Sequence, residues 1–212
     1  AEIKSKVARF CNVDIEAVIE SIDAETIYDV PLLMQNEKLD QVVLKHLNMP
    51  FEGEPNLTIW KDFLNKFKHP KSQITIGLIG KYVELKDSYK SIAESIIHAG
   101  AINECKVNVK WIHSESLTDE NINKKLDGLK GILVAPGFGT RGINGKIIAI
   151  KYARENKVPF FGICLGMQCA VIEFARNVLG HKNAHTVEID KNTDAPVIDI
   201  MEEQKNLQEM GG

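Results

Sequence analysis

The chain lacks a charge excess of either sign, has few cysteines and contains no long apolar run. Lysine and arginine number 26 against 29 aspartates and glutamates, a formal charge of −3. Such a balance offers no basic surface to a nucleic acid. No stretch approaches the roughly 18 consecutive apolar residues of a membrane helix. Neither nucleic acid nor membrane is therefore expected as a partner. The four cysteines, Cys11, Cys105, Cys164 and Cys169, show no C-x-x-C spacing and no paired framework. Reduced thiols and a cytoplasmic location are the expectation. The phosphate-cradling pattern G-x-x-x-x-G-K-[ST] is missing, as are internal repeats, and no metal ligand is expected among these residues.

What is present organises into three parts. Residues 1–44 place apolar side chains (Val7, Phe10, Val18, Ile22, Leu32, Leu33, Leu39, Val42, Val43) at helical spacing, too few to build an independent core, and read as the tail of something larger. Residues 45–71 read as a linker: Asn48, Pro50, Gly53 and Pro55, then one amphipathic helix carrying Leu57, Trp60, Phe63, Leu64 and Phe67, closed by His69-Pro70. Residues 72–212 alternate strand and helix. Strands are expected at 74–79, 106–113, 131–134 and 158–163, with helices at 88–101, 118–126, 145–156 and 165–179. That alternation predicts an α/β fold, an open and mostly parallel sheet with helices on both faces.

Gly162-Ile163-Cys164-Leu165-Gly166-Met167-Gln168 puts one cysteine between two glycines where an apolar strand runs into a helix. The preceding Val158 to Ile163 run reads as a strand buried on both faces. A turn this sharp leaves room only for glycine beside the bend, the logic of the serine elbow G-x-S-x-G. At the helix N-terminus the dipole and free N–H groups favour thiolate, so Cys164 is a candidate nucleophile; the alternative is a buried, inert thiol. Cys169, inside the same helix, reads as core. Upstream, the strand Gly131 to Val134 and Ala135 empties into Pro136-Gly137-Phe138-Gly139-Thr140-Arg141-Gly142, which with three glycines and a proline in seven residues is neither helix nor strand. Such a loop can present bare N–H groups to an oxyanion, or it can be an ordinary connection. In an open α/β sheet both loops would lie at the carboxyl ends of neighbouring strands, where ligands bind.

These motifs resemble the class I glutamine amidotransferase domain, of the flavodoxin-like type found in the CTP synthase family. The stretch Gly80-Lys81-Tyr82-Val83-Glu84-Leu85-Lys86-Asp87-Ser88-Tyr89-Lys90-Ser91 is similar to the opening of that family's glutaminase domain. Val7 to Val13 and Thr26-Ile27-Tyr28-Asp29-Val30-Pro31 resemble the end of its synthetase domain, an α/β domain of its own. The resemblance implies that residues 1–44 end a synthetase domain, 45–71 link, and 72–212 form a glutaminase domain cut short. It implies ATP-dependent amination of UTP to CTP with ammonia from glutamine, hydrolysed through a thioester on Cys164. Main-chain N–H groups around Gly137 and Phe138 and that of Leu165 would hold the oxyanion, with Pro136 part of the same binding loop; Gln168 and Glu188 would grip glutamine. Lys6, Lys81 and Lys90 match nucleotide-contacting positions, and each could equally be a solvated lysine. ATP and Mg²⁺ would be bound by a domain preceding these residues, GTP would be an allosteric activator, and the assembly would be a homodimer or homotetramer.

A cysteine nucleophile of this kind needs a base, which the family supplies as a His-x-Glu pair well downstream of the elbow. No such pair follows Cys164 here. His113-Ser114-Glu115 has the spelling but precedes the nucleophile, while His181 and His185 read as solvated turn residues. Residues 1–212 alone are expected to label slowly at Cys164 without steady turnover. Two rival readings stay open: the glutaminase domain of another amidotransferase, such as a GMP or carbamoyl phosphate synthase, and a non-catalytic module.

Overall fold

The computed structural model describes residues 2–201 and divides the chain into two compact units between Lys68 and His69. The first unit is helical: α1 (Glu2–Cys11), α2 (Val30–Asn36), α3 (Leu39–His46) and α4 (Thr58–Lys68). The aromatic stripe expected on one face of α4 packs within this unit. Tyr28 meets Phe63 and Phe67 edge-on at 5.1 and 5.7 Å, and the Trp60 indole N–H donates to the Tyr28 carbonyl at 2.9 Å. Aromatic pairs of this geometry stabilise by about 0.5–1.5 kcal/mol each beyond their burial.

The second unit runs β1 (Ser72–Gly80), α5 (Lys90–Ile102), β2 (Cys105–His113), α6 (Ile122–Leu126), β3 (Gly131–Val134), α7 (Ile143–Glu155), β4 (Phe160–Gly162), α8 (Leu165–Asn177), and two short strands, β5 (His185–Thr186) and β6 (Pro196–Ile198). The first four strands form one parallel sheet in the order β2-β1-β3-β4, and β5 pairs with β6 separately. Successive residues of a strand point to opposite faces, and the core divides accordingly. Ile79, Ile132 and Val134 pack with Leu126, Ile147 and Ile172 on the face covered by α6, α7 and α8. Leu78 and Leu133 pack with Tyr89, Ile92 and Ile96 on the face covered by α5.

Two expectations are corrected. The run from Val158 to Ile163 is not a strand buried on both faces: only Phe160–Gly162 pair, and Phe161 is 63% exposed. The reason is position, since among the described residues β4 ends the strand order and has β3 alone beside it. The helix expected over 118–126 shortens to α6 because Asn121 turns its side chain back, its Oδ1 accepting from the Thr118 N–H at 3.1 Å. Such Asn-to-backbone bonds compete with helix.

The chain leaves β1 for β2 on one side and returns to place β3 on the other. The carboxyl ends of β1 and β3 are thus a topological switch point, where a crevice opens in doubly wound sheets. Lys81 follows β1 directly, and the Pro136–Gly142 loop follows β3.

Candidate active site

Cys164 stands between β4 and α8 with φ 52° and ψ −111°, a conformation an L-residue adopts only under constraint. Close packing supplies the constraint. A Cβ on Gly162 would come within 2.6 Å of the Gly166 and Met167 backbone, and one on Gly166 within 2.1 Å of the Val134 carbonyl oxygen. Either glycine replaced by a larger residue would push α8 off the sheet. The bend is tied from both sides: the Ile163 N–H donates to the Val134 carbonyl at 3.0 Å, and the Gln168 N–H to the Cys164 carbonyl at 3.0 Å. Cys164 is exposed, so it is not an inert core thiol. Leu165 opens α8, where main-chain N–H groups have no intrahelical acceptor. Cys169 is buried as expected, and desolvation pushes its thiol up to about 11, with Lys146, Lys81 and Arg176 partly opposing.

Val134 pairs with Gly162, so the loop that follows β3 starts level with the elbow. Ala135 is fully buried, while the Phe138 side chain stands 81% exposed. Beneath the loop lie two lysines with almost no solvent access, Lys81 and Lys146. The Lys146 ammonium donates to the Ala135 carbonyl at 2.7 Å; that of Lys81 donates to the carbonyls of Phe138 and, at 3.1 Å, Gly139. Lys81 is itself fixed by its N–H, which donates to the Tyr89 hydroxyl at 3.0 Å. A Cβ on Gly137 would lie 3.7 Å from the Lys146 Nζ and 3.8 Å from the Lys81 Cδ and Cε, so Gly137 rides directly over the pair.

The remaining sequence candidates are dispersed. Lys81 is not a solvated lysine, since its ammonium lies against the loop carbonyls. Lys6 is exposed and ion-paired with Glu2 at 2.7 Å; Lys90, at the start of α5, pairs with Glu94 at 2.7 Å. Gln168 is half-buried on the first turn of α8. Glu188 is exposed beyond β5, its N–H donating to the Thr186 hydroxyl at 3.3 Å. His113 ends β2, three strand spacings or about 14 Å across the sheet from β4, and its Nδ1 accepts from the Glu115 N–H. His181 is exposed; His185 departs from the solvated turn expected, being half-buried with Nδ1 accepting from the Thr186 N–H at 2.9 Å. Its burial lowers its pKa, with Arg176 adding to the effect.

Lys146 was missed in the sequence because one lysine in an amphipathic helix reads as solvent-facing. The signal available was the pair of glycines just before it, in Gly142-Ile143-Asn144-Gly145. A Cβ on Gly145 would lie 1.8 Å from the Ser114 carbonyl oxygen, so this glycine lets α7 start hard against the chain leaving β2. Among the described residues no group of three or more His, Cys, Asp or Glu side chains is placed to hold a metal ion, and no helix is long and apolar enough to cross a membrane.

The family model for glutamine amidotransferase class-I matches residues 84–209, which include the elbow, the loop and Glu188. The chain belongs to the class-I glutamine amidotransferase family. The model for the CTP synthase N-terminus matches residues 1–49, and the whole chain is similar to proteins named CTP synthase. That of Cytophaga hutchinsonii is 62% identical over 212 residues, and that of Methanocaldococcus jannaschii 55% over 217, with all of this chain covered in each case. The chain spans 39% and 40% of the lengths of these two relatives. The glutaminase domain of Trypanosoma brucei CTPS, solved with bound acivicin, superposes with a TM-score of 0.60 at 36% identity, covering 63% of this chain and 52% of that one.

Proposed function

We propose that this chain is the glutamine-hydrolysing part of a CTP-forming amidotransferase. The observation that carries the reading is Cys164: exposed, held at positive φ between β4 and α8, and level with the loop that leaves β3. Its thiolate would add to the side-chain amide carbon of glutamine. The carbon–nitrogen bond would break, ammonia would leave with the proton delivered to it, and water would release glutamate from the thioester. Main-chain N–H groups at Gly137, Phe138 and Leu165 would hold the tetrahedral oxyanion, with Pro136 shaping the loop and Gln168 and Glu188 gripping the substrate. The resemblance assigns the proton relay to a His-x-Glu pair downstream of the elbow, and no such pair lies between Cys164 and Gly212.

In the full-length protein the ammonia would aminate UTP activated by ATP. The resemblance places ATP and Mg²⁺ in a domain preceding these residues. Activation by GTP with Lys81 and Lys90 nearby, contact of Lys6 with the pyrimidine nucleotide, the domain division at 44 and 71, homodimer or homotetramer assembly and a cytoplasmic location rest on the resemblance.

The test is Cys164→Ala in the full-length protein. Glutamine-dependent CTP formation and labelling by acivicin should both vanish while synthesis from added ammonia persists. A parallel fall of the ammonia-dependent rate would make Cys164 structural and overturn the division of roles.

A further inference from the structure

We propose that Lys146 is a positioning residue for the oxyanion loop, clamping its Ala135 end and setting a buried positive charge under Gly137, where glutamine's amide oxygen becomes negative. The inference rests on the Cys164 thioester reading and adds to it a residue outside the elbow and the loop.

The geometry is unusual for a lysine. Lys146 sits in the first turn of α7, on the face that packs against the sheet, and has no solvent access. Burying an ammonium costs free energy unless it is compensated. Among the described residues no carboxylate lies within ion-pairing distance of Lys146 or Lys81; both ammoniums are met by loop carbonyls. A methionine or leucine would fill the same space without the cost. The charge therefore does something that packing alone does not require.

Its grip on Ala135 has a directional consequence. In a trans peptide the carbonyl and the following N–H point opposite ways. The residue after Ala135 is Pro136, which has no N–H, so the first donor the loop can offer is that of Gly137. Lys81, pulling the Phe138 and Gly139 carbonyls, turns the N–H groups of Gly139 and Thr140 away from itself in the same manner. With Ala135 held at one end and Phe138 and Gly139 at the other, Gly137 lies over the Lys146 ammonium and the Lys81 stem. Preorganised donors of this kind act without reorganisation cost when charge develops.

The proton on Lys146 is within experimental reach. Desolvation, with Lys81 adding to it, lowers this amine to about 8, while Cys169 on α8 and Cys164 at the elbow oppose the shift. Desolvation lowers the Lys81 amine as well, with Arg141 adding to the effect and Glu115 and Cys169 opposing it. Below about pH 8 the clamp is charged; above it, the proton is lost and the positive charge with it.

The experiment uses full-length protein with Lys146→Met and Lys146→Arg, reading glutaminase kcat and KM against pH across the mildly alkaline range, the ammonia-dependent rate, and acivicin labelling. Lys146→Met is expected to lower glutaminase kcat by about tenfold, a fraction of the roughly 10²–10³ seen when an oxyanion donor itself is removed, with a smaller change in KM and loss of the alkaline limb that the Lys146 proton gives the wild type. The arginine variant should retain more activity than the methionine variant and also lose that limb, because guanidinium keeps its proton. If the methionine variant does not fold, the arginine variant decides alone. A glutaminase kcat within about twofold of wild type in the methionine variant, or an unchanged alkaline limb in the arginine variant, overturns the proposal. Glutaminase activity surviving Cys164→Ala would instead overturn the thioester reading itself.

Discussion

Gly166→Ala isolates the packing that bends the chain at Cys164. The added methyl would lie 2.1 Å from the Val134 carbonyl oxygen and 2.9 Å from its carbon. Restoring an ordinary contact of roughly 3.4 Å requires a relative movement of about 1.3 Å, and both partners are backbone, so no side chain can swing aside. The strand cannot give, because Val134 is fully buried between β1 and β4. The start of α8 must therefore lift, carrying Cys164 and the Leu165 N–H with it. Overpacking of this kind costs about 1–3 kcal/mol, and a misplacement near 1 Å at a reacting centre costs on the order of 10²-fold in rate. The assay is the acivicin labelling rate at Cys164 together with hydrogen exchange across α8 in the full-length protein. Gly128→Ala serves as comparator: at φ +74° with open space around it, it should cost about 1 kcal/mol through backbone strain alone and leave labelling untouched. Equal labelling rates in wild type and Gly166→Ala would refute the account of the elbow.

Two further substitutions probe the elements around the site. Glu173, 1% exposed, receives a fork from Arg154 (Nη2 at 2.8 Å, Nε at 3.1 Å) and a bond from Asn177 at 3.1 Å; Glu173→Ala should lower the opening free energy of α7 and α8 amides by about 2–3 kcal/mol, kept below the fully buried range because the Arg154 side chain is one-third exposed. A loss under about 0.5 kcal/mol by hydrogen exchange would mean that the ion pair is not formed in solution. Tyr89→Phe removes the hydroxyl that accepts from the Lys81 and Tyr82 N–H groups at 3.0 and 3.3 Å, and should cost about 1–2 kcal/mol while raising KM for glutamine through loosening of Lys81; an unchanged KM would detach Tyr89 from the loop.

The order of strands and helices, the elbow and the loop were legible because each is dictated by residues adjacent in sequence. Gly162 and Gly166 announce a bend that no other residue tolerates, and Pro136 with three glycines cannot continue a strand. What escaped the sequence is decided by distant segments. Phe161 spells a core residue, and only its place at the end of the strand order exposes it. Lys81 and Lys146 spell surface residues, and only the convergence of β1, β3 and α7 buries them. The isolated short strands β5 and β6, with two and three residues, fall below the length at which alternation can be read.

The same contrast explains why the loop needs help that the elbow does not. Cys164 is held by contacts its own neighbours make, Gly162 against Gly166 and Ile163 against Val134, so its strain is locked wherever β4 and α8 pack. The loop from Pro136 to Gly142 has no large apolar side chain that reaches the core, since Phe138 points to solvent. A segment with so much glycine loses more conformational entropy on ordering than any other. Order must then come from outside it: the start of α7 holds its far end, the Ile143 and Lys146 N–H groups donating to the Thr140 and Gly142 carbonyls, while the Lys81 ammonium reaches the Phe138 and Gly139 carbonyls and that of Lys146 the Ala135 carbonyl just before it. Lysine suits the task because its long stem spans from α7 or β1 to the loop and its three donors can hold more than one carbonyl. The buried charge and the glycine-rich loop are thus two halves of one device, each unfavourable without the other.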